Sequence, residues 1–81
     1  MMSLKYAAVS TMTESGDSGV FCVDFYDVGD VVEYIKDMMD EEFVYVSVFR
    51  VHCPSGFEIE SDILMALKQA RNDERELLEP Q

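Results

Sequence analysis

Basic residues are scarce in this chain. It holds six lysines and arginines against 17 aspartates and glutamates, for a formal charge of −11. Proteins grip phosphates with lysine and arginine, so this balance excludes ordinary nucleic-acid binding and disfavours anionic membranes. Long apolar runs are missing as well. None approaches the ~18 residues of a membrane-spanning helix. The opening "MMSLKYAAV" lacks the apolar core of a signal peptide, so a cytoplasmic location is expected. Cysteine is limited to Cys22 and Cys53, which fix no disulfide framework and read as small, buried, reduced thiols. Paired short-spaced cysteine motifs for zinc and the ordered acids of an EF-hand loop are both absent.

At 81 residues, 48% of them hydrophobic, the chain suits one domain with a thin core. "LKYAAVSTMT" (4–13) reads as a first strand. "ESGDSG" (14–19) is turn chemistry, and "VFCVDFY" (20–26) is a second, β-branched and aromatic strand. "DVGDVVEYIKDMMDEE" (27–42) follows with helical periodicity. Val28, Val31, Val32, Ile35, Met38, Met39 and Phe43 fall on its inner face, with one of the two methionines inward and one at the edge. Asp27 is placed to cap this helix, with Asp30 three residues on as in a capping box. "FVYVSVFRVH" (43–52) reads as a third strand, with Val44, Val46 and Val48 on one face and Tyr45, Ser47, Phe49 and Val51 on the other. Pro54 and Gly56 end it. Residues 57–79 hold a second helix starting near Ser61 or Asp62. Ile59, Ile63, Ala66, Leu67 and Ala70 line its inside, the charged stretch past Asn72 frays, and Leu77 and Leu78 offer a last apolar contact. Pro80 and Gln81 form a tail.

The order β-β-α-β-α predicts an α+β fold: a three-stranded, mostly antiparallel sheet with two helices packed on one face. The strand order 2-1-3 is the simplest, and 1-2-3 is the alternative.

No catalytic, cofactor or metal site is expected, and no enzyme. His52 and Cys53 are adjacent and so point to opposite faces of a strand. His52 could turn toward Cys22, but no third orienting group accompanies them. Asp24 and Asp27 flank Tyr26, at a strand end and a helix cap where solvent keeps carboxylates ordinary.

The distinctive feature is where the acids fall. Glu14, Asp17, Asp24, Asp27, Asp30, Glu33, Asp37, Asp40, Glu41 and Glu42 share their segment with one base, Lys36. Asp37 and Glu41, at i,i+4, weaken a helix rather than help it. The total charge also exceeds the magnitude of ~2–8 that solubility asks of a small domain. Concentrated charge makes a directed field that draws a basic partner and fades with salt. The expected partner-binding residues are Glu14, Asp17, Asp30, Glu33, Tyr34, Asp37, Asp40 and Glu41, with Tyr34 or Tyr45 as aromatic anchors.

In size, charge and layout, over its whole length, the chain resembles small inhibitors encoded by phages and mobile elements, anti-CRISPR and DNA-mimic proteins among them. The resemblance rests on no shared motif and carries no residue roles. It implies a non-enzymatic inhibitor in the bacterial cytoplasm. Such a protein binds the basic, nucleic-acid-handling surface of a host defence complex, such as a CRISPR–Cas effector, and blocks access of nucleic acid or nuclease. The alternative is a small adaptor that homodimerises through its sheet, by Tyr45, Phe49 and Val51 or by Val44, Val46 and Val48.

Overall fold

The structure is a computed structural model that describes residues 4–78. Strands β1 (Lys5–Thr13) and β2 (Ser18–Phe25) are followed by helix α1 (Val28–Met39) and a 3₁₀ segment (Asp40–Tyr45). Strand β3 (Val46–His52) and helix α2 (Phe57–Leu78) complete the chain. The sheet order is β2-β1-β3, with β1 central and antiparallel to both neighbours. This is the α+β fold expected, and of the two strand orders left open the structure has 2-1-3.

The hairpin turn needs one left-handed residue, and Gly16 supplies it at φ 95°. Thr13 N donates to Asp17 O at 2.8 Å, and Gly16 N to Thr13 O at 3.0 Å. Strand alternation then sends Ala7 and Val9 of β1, and Val23 and Phe25 of β2, to one side. Val31, Ile35 and Met39 of α1 and Ile63 and Leu67 of α2 close over them in one core cluster. Each such side chain contributes roughly 1.5–3 kcal/mol by leaving water. Of the two methionines, Met39 is the one that packs inward, and Met38 is exposed.

Four expectations are corrected. First, α1 stops at Met39, so Asp40 and Glu41 belong to the 3₁₀ segment rather than the helix. Asp40 takes φ 51°, a conformation that strains a residue with a Cβ. Phe43 is buried from the 3₁₀ segment, its ring 5.9 Å from that of Phe49. Second, β3 begins at Val46 rather than 43, and its faces are not those of a regular strand. Met12 pairs Val48 while Thr13 pairs Val46, which leaves Ser47 as a bulge. Ser47 Oγ donates to Met12 O at 3.0 Å. The extra residue flips the alternation, so Val46 and Phe49 both face the core while Val48 faces out. Neither trio expected as a dimer surface lies on one exposed face.

Third, α2 starts at Phe57, straight after a turn in which Gly56 N donates to Cys53 O at 3.2 Å. It continues through the charged stretch to Leu78. Leu77 is exposed and makes no apolar seal. The Leu78 side chain and the tail Pro80–Gln81 lie outside the described residues. Fourth, Cys22 is exposed, and only Cys53 is buried. Among the described residues, no helix is long and apolar enough to cross a membrane.

Candidate functional site

Helix α1 sorts its side chains by direction. Val31, Ile35 and Met39 enter the core. Asp30, Glu33 and Asp37 point to solvent, with Tyr34 and Met38 exposed beside them. Asp27 and Asp30 form the capping box, in which Asp27 N donates to Asp30 Oδ2 at 3.3 Å. Capping explains one of these acids. It leaves Glu33 and Asp37 without a structural task.

Lys36 is the only base within α1, yet its ion pair is made with another helix. Its Nζ reaches across to Glu74 Oε1 of α2 at 2.8 Å. That hydrogen bond is the main reason the Lys36 pKa is raised. The Glu74 charge and the charges of Glu33 and Asp37 add to it, against partial burial. Two arginines behave alike. Arg71 donates through Nη1 to the Val46 carbonyl and stacks 5.6 Å from the Phe49 ring centroid. Arg75 Nη2 donates to Val44 O at 2.9 Å and meets Glu14 Oε1 at 3.4 Å. These cations hold α2 against the 3₁₀ segment and β3, a task their charge pattern alone does not reveal.

The hairpin turn and the 3₁₀ segment meet at one end of the molecule. Glu14 N donates to Tyr45 O at 2.9 Å. Asp17 and Glu42 line a cleft of about 140 Å³ together with Met38 and Phe21. Asp17 is held there by its own turn, where its N–H donates to Thr13 Oγ1 at 3.1 Å and its carboxylate accepts from Ser15 Oγ at 3.2 Å. The structure therefore brings Asp17, Asp40, Glu41 and Glu42 to one end, with Asp37, Glu33 and Asp30 running away along α1. Among the described residues these seven make no ion pair. Glu14 sits at the same end but is matched by Arg75. Glu42 and Met38 were absent from the expected site. Their place in the segment 38–42 was visible, but the cleft with the hairpin was not.

Tyr34 is 39% exposed on this flank and Tyr45 49% exposed from the 3₁₀ segment, so both aromatic anchors are available. The His52 and Cys22 pairing is not made. Both face outward and flank Ala8 on opposite sides of β1, two strand spacings or about 10 Å apart. His52 Nδ1 lies 3.6 Å from Glu60 Oε1, which also accepts the Cys53 N–H at 2.9 Å. No family model, curated protein or solved structure matches this chain.

Proposed function

We propose that the protein is a stoichiometric, non-enzymatic inhibitor whose acidic flank occupies a basic, nucleic-acid-handling surface of a bacterial defence complex, in the manner of anti-CRISPR and DNA-mimic proteins. One observation carries the reading: a run of exposed carboxylates lies along α1 and its 3₁₀ extension while the nearby cations turn inward to Glu74 and to backbone carbonyls. Asp30, Glu33 and Asp37 recur every three or four residues, or about 4.5–6 Å along a helix axis. Phosphates recur about every 3.4 Å along one strand of a duplex, so the two charge rows are of similar density. A groove built to neutralise phosphates finds comparable anions here. Tyr34, Met38 and Tyr45 supply the apolar contact that phosphates lack.

The test is capture of the partner from bacterial lysate with the native chain and with Glu33→Lys/Asp37→Lys. The partner should be a nucleic-acid-binding complex, should elute as salt rises, and should be displaced by its own DNA or RNA. The double reversal should weaken binding about 100-fold or more, close to 2.7 kcal/mol, with an unchanged circular dichroism spectrum. A partner that binds DNA and this protein at the same time would end the mimicry reading.

A further inference from the structure

Among the described residues, no helix packs on the second face of the sheet. At its surface stand Tyr6 and Met12 of β1, Val20 of β2 and Val48 of β3, exposed by 43%, 45%, 64% and 39%. Met12, Val20 and Val48 border a hollow of about 500 Å³ floored by Ser10 and Gly19. Charge here is balanced, unlike anywhere along α1. Asp24 is the one acid on the outward positions of the strands and Arg50 the one arginine, with His52 beside it. A molecule of charge −11 thus keeps one broad face electrically neutral.

We infer that this face docks a second copy of the chain, sheet against sheet, about a two-fold axis running along β1. The occupant follows from the charges. Two copies repel wherever their acidic flanks approach, and the bare sheet is where they meet without that penalty. The two-fold lays β2 of one copy over β3 of the other. Asp24, level with Tyr6, then faces the strand bearing His52, level with Ala8, and Arg50, level with Ser10. Neither Asp24 nor Arg50 is then laid over its own like charge, and Arg50 lies over Val20 of the facing β2. Met12 lies near the axis, and the hollow receives side chains from the facing sheet. A C₂ interface needs this self-complementarity.

The area sets the strength. Nine residues of β1 run about 30 Å and three strands span about 14 Å, a footprint on the order of 400 Å². This is half of the ~800 Å² per partner in a standard interface, so the dimer is weak and depends on concentration. Salt strengthens it by screening the repulsion between copies. Binding through the acidic flank responds in the opposite sense, so the two surfaces fail or succeed separately.

Sedimentation equilibrium of the full chain tests this from about 5 to about 500 μM. It is run at about 0.01 M and about 1 M NaCl, where the Debye length falls from ~30 to ~3 Å. The mass should rise from 9.3 kDa toward twice that with concentration, and further at high salt. Val20→Glu should hold the chain at 9.3 kDa while leaving its circular dichroism and its partner binding intact. Glu33→Lys/Asp37→Lys should dimerise at least as well as the native chain. Alkylation of exposed Cys22, with Cys53 buried as the internal control, should slow as concentration rises. A mass of 9.3 kDa under every condition overturns the proposal. So does a dimer that Val20→Glu leaves whole, or one that salt dissolves.

Discussion

The helix layer and the bare sheet are two surfaces of one thin protein, and they solve opposite problems. Along α1 and the 3₁₀ segment, the exposed acids make no ion pair among the described residues, while Lys36, Arg71 and Arg75 turn inward. Across the sheet, exposed apolar side chains sit among one acid, one arginine and one histidine. The difference shows that net charge describes neither surface. A charge of −11 predicts repulsion everywhere, but the fold confines it and leaves a neutral face behind. Salt should weaken contacts of the first surface and favour those of the second.

The strongest way to separate the two is to loosen one without the other. Arg71→Ala removes a charge-assisted hydrogen bond to the Val46 carbonyl and a guanidinium over Phe49. It also removes a buried Nε that has no partner, which offsets part of the loss. A net destabilisation of about 1–3 kcal/mol is expected in urea unfolding. Amide exchange should speed up over residues 40–46, and affinity for a basic partner should fall with it. Self-association through the sheet should not change. If both activities fall together, the acidic flank and the sheet are a single cooperative unit and the comparison collapses.

Much of this layout is legible in the residues. The turn at Glu14–Asp17, the α1 stripe from Val28 to Met39 and the central place of β1 follow from periodicity and connection rules. Three features are not legible, each for a physical reason. The break at Asp40 has neither the glycine nor the proline that usually marks one, because strain at φ 51° is tolerated there. The bulge at Ser47 depends on the register against Met12 and Thr13, which no local pattern encodes. The length of α2 depends on Arg71 and Arg75 finding carbonyls 25 and 31 residues away. In the site, the acids were legible as charge. Their freedom from pairing was not, since Lys36 could as well have served Glu33 or Asp37.

Lys36 therefore gives the next sharpening. Glu74→Gln takes away its partner in α2. The two side chains are 31% and 38% exposed, so the cost in stability is about 1 kcal/mol or less. The folded Lys36 pKa is raised above its ordinary 10.5, chiefly by the Glu74 hydrogen bond. The pair's contribution is thus fully present below pH 10.5 and is lost as pH rises through the folded value. Melts across that window should show the native chain losing this increment and Glu74→Gln lacking it. NMR titration should find Lys36 nearer 10.5 in the variant, still held up by Glu33 and Asp37. A freed Lys36 should also lean on those two acids and modestly weaken the acidic flank. If partner affinity instead rises, Lys36 is itself a contact and the flank is not purely anionic.

The smallest effect belongs to the sheet. Tyr6 OH donates to Cys22 Sγ at 3.3 Å, and this bond is the first cause of a Tyr6 pKa raised above 10.0, with Asp24 adding last. Cys22→Ala removes the acceptor at an exposed position and should leave the fold unchanged. The Tyr6 titration, followed by NMR, should move back toward 10.0 without reaching it, because Asp24 remains. The result decides how independent the two surfaces are. A local hydrogen bond acts only at Tyr6, whereas the field of the acidic flank would survive the loss of Cys22 and weaken with salt. If Tyr6 stays as high in the variant and drops on adding salt, the acids reach through the molecule to the sheet. The neutral face would then be neutral in composition but not in potential, and two copies would meet there against a field that the arrangement of residues on the strands does not show.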